Sequence, residues 1–78
     1  MLNWLTNLRN KKSADRLGWT PHWFGASSFD GQLIKRIKKF QKHRGLPPSG
    51  YCCKKTYKLA LLRRLNKIRR RYTWIKNH

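Results

Sequence analysis

The chain has 78 residues, of which 20 are Lys or Arg and 2 are Asp or Glu, so its formal net charge at neutral pH is +18. A chain this short forms one domain and buries only about 60% of the surface that its unfolded form exposes. Because so large a net charge repels itself in a compact state, we expect a polyanionic partner: nucleic acid, an anionic wall polymer or a membrane surface.

The first predicted element is a short helix over residues 2–9, whose leucines recur on one helical face. The polar run 10–13 predicts the end of this helix. Ser13 is suited to cap a second short turn, and Gly18 is suited to end that turn. The start of the chain is therefore predicted as two short helical pieces.

Residues 18–29 predict an ordered loop that packs on the core. This segment contains Gly, Pro and Ser, which favour turns, but it is too apolar for a free linker. Its aromatic residues are Trp19, Trp23, Phe24 and Phe29.

The second helix is predicted from Asp30, a good N-cap, to about His43. Gly45 stands where a left-handed C-cap belongs, and Pro47-Pro48 blocks any continuation. Apolar residues spaced i, i+4 and i+7 predict the buried face. They are Leu33, Ile37 and Phe40.

The third helix is predicted to start near Thr56, or one turn earlier. It is unusually long, because the stretch from Lys55 to Lys76 would span roughly 32 Å at the usual helical rise. Apolar residues recur along it at alternating spacings of four and three, which is typical of a contact seam with another helix or protein. The predicted seam consists of Leu61, Leu65, Ile68, Tyr72 and Ile75. We expect the extension from Asn66 to His78 to contact a protein partner, the first helix or an anionic backbone.

The residues that usually carry catalysis are sparse. Asp15 and Asp30 are the only acids, one at a predicted turn start and the other at a predicted helix cap. His22, His43 and His78 lack the H-x-x-x-H spacing of a metal site, and no Gly-rich phosphate loop is present. We therefore expect no enzymatic activity, no metal and no cofactor.

Cys52 and Cys53 are adjacent in the chain. A disulfide between neighbours requires a strained ring, and two cysteines alone do not complete a zinc site. We therefore expect one of them to pack as a small apolar side chain.

The region from the second helix to the start of the third carries a recognisable pattern: Phe40-Gln41, Gly45-Leu46, Ser49-Gly50 and Thr56. It resembles the second half of the peptidoglycan-binding module, a small helical domain appended to many cell-wall hydrolases. Two positions depart from the family pattern. Ser49 stands where the family usually has Asp, and Cys53 stands where it usually has Gly.

The resemblance implies an all-α, compact three-helix peptidoglycan-binding-like domain with a long basic C-terminal helix. The chain would divide into an N-terminal helix and aromatic loop (1–29), the module-like core (30–62) and a basic helical extension (63–78). It also implies a shallow wall-binding groove. Candidate groove residues are Gln41, His43, Tyr51, Lys55 and Tyr57.

The charge supports an alternative function, which is non-specific binding of a DNA or RNA backbone. No motif for reading base sequence is present, so the predicted contacts are to phosphates. Tyr72 or Trp74 is suited to stack on an unpaired base. The predicted polyanion-binding residues are Lys35, Arg36, Lys38, Lys39, Lys42, Arg63, Arg64, Lys67, Arg69, Arg70 and Arg71.

The start of the chain lacks the basic segment and long apolar core of a signal peptide. No run approaches the ~18 apolar residues of a membrane span. We therefore expect synthesis in a cytoplasm. A small, very basic protein that resembles a wall-binding module suggests a component of a bacteriophage virion, in a tail or head, or of another cell-wall-associated assembly.

Overall fold

A computed structural model describes the backbone of residues 3–76 and the side chains of residues 4–67. Within that range the protein is all-α, which confirms the predicted three-helix fold class. A short 3-10 helix lies between the first two α-helices. The elements are α1 (Asn3–Leu17), the 3-10 helix (Pro21–Phe24), α2 (Gly31–His43) and α3 (Lys54–Lys76).

The predicted break after the second turn of α1 is wrong, because the helix runs without interruption to Leu17. Asn10 and Ser13, whose polarity favoured a break, are buried. The Cys52 N–H donates to Asn10 Oδ1 at 2.9 Å, and Ser13 Oγ donates to the Cys52 carbonyl at 2.6 Å. These distant partners satisfy the polar side chains inside the fold. Gly18, at φ 90°, then ends the helix as predicted.

The predicted packing of the aromatic loop on the core is confirmed. Trp19 is 2% exposed, and its Nε1 donates to Ser13 Oγ at 3.0 Å. The ring of Phe24 contacts the rings of Trp19 and Phe40 edge to face, with centroids 5.5 and 5.6 Å away. The loop therefore joins α1 to α2 through buried rings.

The N-terminus of α2 is capped as predicted. Asp30 Oδ1 accepts the backbone N–H of Leu33 at 3.1 Å. This contact and a hydrogen bond from Ser28 hold the pKa of the Asp30 carboxyl below its usual value. Leu33 and Ile37 are fully buried and Phe40 nearly so, which confirms the predicted apolar face.

The C-terminus of α2 is a Schellman motif. Gly45 has φ 73°, and its N–H donates to the Lys42 carbonyl at 3.2 Å. The Leu46 N–H donates to the Gln41 carbonyl at 2.8 Å. The prediction of a left-handed cap at Gly45 is therefore confirmed, and the cap turns the chain away from the helix axis.

The turn before α3 depends on Gly50, which has φ 80°. A Cβ at this position would lie 2.7 Å from Ile34 Cγ2, so the backbone and α2 approach more closely than any side chain permits. Among the described residues only glycines have positive φ, so Cys53 occupies ordinary backbone. Cys52 is fully buried, which confirms that one of the two cysteines packs as an apolar residue.

Helix α3 starts at Lys54, within the predicted range of about one turn before Thr56, and is helical to Lys76, the last residue whose backbone is described. Thr56 and Ala60 in its first turns are buried, whereas Leu62 and Leu65 are about half exposed. In the predicted seam, Leu61 is partly buried, and the side chains of the seam residues after Leu65 lie outside the described range.

A candidate polyanion-binding cleft

A cleft of about 470 Å³ opens between the C-terminal half of α2 and the middle of α3. A second depression, of about 340 Å³, shares Arg44 and Arg63 with it and is also lined by Asn66 and Lys67. We call the first of these the basic cleft. Its lining residues are Phe24, Arg36, Lys39, Phe40, His43, Arg44 and Arg63.

Helix periodicity brings basic side chains of α2 to one side. Arg36, Lys39 and His43 are separated by three and four residues, so they share a face of the helix. Arg44 follows the helix, and the Schellman turn places it at the same rim. Arg63 approaches from α3, so cations from two helices meet across the cleft.

Aromatic rings support two of these cations. The guanidinium carbon of Arg44 lies 5.3 Å from the centroid of the Phe40 ring, and that of Arg63 lies 5.8 Å from the same centroid. Both distances fall within the range of cation–π attraction. The contacts hold two positive charges near one ring without neutralising either of them.

No acidic residue is among those that line the cleft. Asp30 caps the opposite end of α2, about 20 Å from His43 at the usual rise per residue. The positive potential of the cleft is therefore not cancelled locally, and an anion is the species that it would attract.

Part of this pattern has a purely structural explanation. Cations near the C-terminus of a helix interact favourably with its exposed carbonyls, and His43 and Arg44 occupy that position in α2. That explanation does not extend to Arg36, two turns earlier, or to Arg63 on another helix. The convergence of both helices on one cleft is the feature that points to a ligand.

The predicted polyanion-binding residues separate into groups. Arg36, Lys39 and Arg63 line the basic cleft, and Lys67 lines the adjoining depression. The guanidinium of Arg64 lies over the Trp23 ring, 4.5 Å from its centroid. Other predicted cations are exposed on α2 outside the cleft: Lys35, Lys38 and Lys42. The side chains of Arg69, Arg70 and Arg71 lie outside the described range.

Gln41, a candidate wall-binding residue, is 1% exposed. Its Nε2 donates to the Tyr51 carbonyl at 2.9 Å and to Thr56 Oγ1 at 3.1 Å. Its Oε1 accepts the Gly50 N–H at 3.0 Å. Since the amide is buried and bonded within the protein, Gln41 organises the turn before α3, and we leave it out of the proposed binding surface.

The other wall-binding candidates do not converge on one pocket. His43 lines the basic cleft. Tyr51 lies under the guanidinium of Arg9, whose carbon is 4.2 Å from the ring centroid. Tyr57 stacks on Trp23 with centroids 5.6 Å apart. The remaining candidate is the exposed Lys55.

Sequence reasoning missed Arg44 and the two rings that form the base of the cleft, Phe24 and Phe40. Arg44 follows the last residue of α2, so a helical-face analysis omits it. The predicted left-handed cap at Gly45 was the available signal, because such a cap folds the residue before it back against the helix end. Phe24 was predicted only as part of a packed loop.

The two cysteines have different environments. Burial raises the pKa of the Cys52 thiol to about 12, and the neighbouring Cys53 adds to this effect. Partial burial raises the pKa of Cys53, but hydrogen bonds to Thr56 and nearby backbone outweigh this effect, so the pKa of Cys53 falls below the usual value.

In the described residues, no three His, Cys, Asp or Glu side chains are grouped for metal binding.

Comparison with known proteins adds no family assignment: the chain matches no protein-family model, no curated protein and no solved structure. No helix in the described part of the chain is long and apolar enough to cross a membrane.

Proposed function

We propose that this protein is a non-catalytic binding protein that holds the phosphate backbone of nucleic acid in the basic cleft. The convergence of cations from two helices on one cleft, with no acid in its lining, carries this proposal. Guanidinium groups bind phosphate oxygens through charge-assisted, often paired hydrogen bonds. Arg44 and Arg63 are held by the Phe40 ring before any ligand binds, so less side-chain freedom is lost on binding.

The same geometry favours binding without sequence specificity. Phe24 and Phe40 are each 7% exposed, so their faces are not available for stacking on bases. The cations that line the cleft suit phosphate oxygens, which carry no direct sequence information. The affinity should therefore depend strongly on salt and weakly on base sequence.

Salt titrations of DNA binding test the proposal. We expect Arg44→Ala with Arg63→Ala to reduce the slope of log affinity against log salt by about 1.8, because each lost phosphate contact on duplex DNA removes about 0.9. The measurement is fluorescence anisotropy with two short duplexes of unrelated sequence, which should bind alike.

The matched control is Lys12→Ala with Arg16→Ala, which removes the same charge from exposed positions of α1. This pair should leave the slope close to that of the unchanged protein. Equal reductions in slope by both pairs would show that total charge, and not the basic cleft, binds the DNA. Absence of binding by the unchanged protein would refute the proposal itself.

A second candidate function is binding of peptidoglycan, as a small component of a bacteriophage virion or another wall-associated assembly. The roles of the resemblance residues support it: Phe40 and Thr56 are buried, and Gly45 and Gly50 have the positive φ of a cap and a turn. Phe40 in the core, Gly45 at the helix cap and Gly50 in the turn have the structural roles that the module's pattern implies, whereas Thr56 lies inside the first turn of α3 and does not cap it. His43, the exposed candidate in the cleft, would then contact the wall ligand.

Co-sedimentation with purified peptidoglycan sacculi separates the two candidates. In about 0.5 M salt, with excess DNA as competitor, binding driven by phosphate-like charge should fall by orders of magnitude. Retention on the sacculi would favour the wall ligand. Release, together with a cleft-dependent salt slope on DNA, would favour nucleic acid.

A further inference from the structure

The N-terminal half of α1 exposes an apolar patch. Trp4 is 68% exposed, Leu5 42% and Leu8 43%. We call these three side chains the α1 patch. The opposite face of the helix carries the polar residues Asn10 and Ser13, which are buried and hydrogen-bonded to the turn before α3. The first two turns of α1 therefore expose apolar side chains, whereas the later turns bury Asn10 and Ser13 together with Ala14.

The α1 patch is contiguous. At the helical turn angle of about 100° per residue, Trp4, Leu8 and Leu5 fall within an arc of about 100° centred opposite Asn10. Contiguous exposed apolar side chains on a small protein usually mark an interaction site. The three positions therefore form one surface and not scattered exposed residues.

Charged residues continue the same outer surface toward the C-terminus of α1. They are the exposed Lys11, Lys12, Asp15 and Arg16, with Arg9 beside them. Cations outnumber the single acid, and the chain as a whole carries +18. The outer surface of α1 thus combines the α1 patch with a basic flank, which consists of Arg9, Lys11, Lys12 and Arg16.

A second copy of the chain does not fit this surface. A standard protein interface buries about 800 Å² and 20–30 residues on each side, far more than three side chains supply. Two copies would also bring like charges together. An anionic bilayer fits both parts, because Trp and Leu are favoured at the headgroup level and each Lys or Arg near an anionic surface adds attraction.

We propose that α1 lies on the surface of an anionic lipid bilayer, with the α1 patch inserted to the headgroup level and the basic flank against acidic headgroups. This site is separate from the basic cleft, whose lining includes no α1 residue. The proposed membrane contact of α1 does not require a ligand in the basic cleft. It depends on insertion of the α1 patch and on the charges of α1.

Co-sedimentation with vesicles tests the proposal. The nuclease-treated protein should bind vesicles of phosphatidylcholine and phosphatidylglycerol and not vesicles of phosphatidylcholine alone. Trp4→Ser with Leu8→Ser should weaken binding to the mixed vesicles about tenfold or more, because it removes the inserted groups without changing charge. Both residues are exposed, so the variant should keep the helical content of the unchanged protein by circular dichroism.

The matched control is Leu62→Ser with Leu65→Ser, which removes two half-exposed leucines from α3. This pair should bind mixed vesicles as the unchanged protein does. The proposal is overturned if the unchanged protein fails to bind, if the α1 variant binds equally well, or if the α3 pair loses as much. A dimer in sedimentation equilibrium that only the α1 variant abolishes would instead assign the α1 patch to a second copy.

Discussion

Gln41 illustrates how one polar side chain can organise a turn from inside the core. Its amide joins α2 to four positions of the chain that follows, Ser49, Gly50, Tyr51 and Thr56, through hydrogen bonds of 2.9–3.3 Å. Burying an amide is costly unless its donors and acceptors are paired. In Gln41 both the amide N–H group and the amide oxygen have hydrogen-bond partners, so the buried side chain stabilises the turn before α3.

We expect Gln41→Met to lower the free energy of unfolding by about 3 kcal/mol, because it leaves the buried Gly50 N–H and other turn groups without partners. Urea denaturation followed by circular dichroism measures this change. Gln32→Met is the control, since Gln32 is an exposed glutamine on the same helix. A loss no larger for Gln41→Met than for Gln32→Met would contradict the role assigned to the buried amide.

Among the helices, α2 has a capping interaction with nearby residues at each end. In α1, by contrast, the buried polar residues bond to a distant part of the chain. The Asp30 cap and the Gly45 cap use groups within a few residues of the helix termini. The polar residues of α1 depend on the turn before α3, about 40 positions away in the chain. The same turn is tied to α2 by the hydrogen bond from the Gly50 N–H to Gln41 Oε1.

We expect Gly50→Ala to destabilise the protein by clearly more than Gly45→Ala. Both glycines have positive φ, so each alanine meets backbone strain of about 1 kcal/mol or more. Only at position 50 does the new Cβ also collide with a neighbour, at 2.7 Å from Ile34 Cγ2, whereas nothing lies within 4 Å at position 45. Thermal unfolding of the two variants compares them directly, and equal losses would disprove the steric contribution.

At the scale of the whole molecule, charge and shape act together. The described chain measures 51 × 24 × 19 Å, and the part of α3 beyond Ala60 exposes two leucines. The net charge of +18 is concentrated after residue 30, where the sequence contains no acid. The folded state thus has a small core, and its surface cations repel one another when no anion is bound.

We therefore expect the melting temperature to rise as sodium chloride is increased from about 10 mM to about 0.5 M, because salt shortens the range of repulsion between exposed charges. A short DNA duplex at low salt should raise it further, since a ligand that binds the folded state stabilises it. The variant with Lys12→Ala and Arg16→Ala should start higher at low salt. A melting temperature independent of salt would mean that self-repulsion does not limit stability.

Local sequence patterns were sufficient to predict the all-α class, the bounds of α2, the approximate start of α3 and the buried apolar face of α2. These features depend on helical periodicity and on caps whose partners lie close in the chain, as at Asp30 and Gly45. The excess of basic residues was also evident from the sequence, but the total charge did not locate a binding site.

The continuity of α1, the interior role of Gln41 and the convergence of Arg44 with Arg63 depend on contacts between distant parts of the chain. Asn10 favours a helix break when judged locally, yet its partners in the turn before α3 keep it helical and buried. Arg63 reaches the rim of the basic cleft only because α3 passes beside the Phe40 ring. Interactions between residues far apart in the chain form only when the helices pack together, so local pattern could not reveal them.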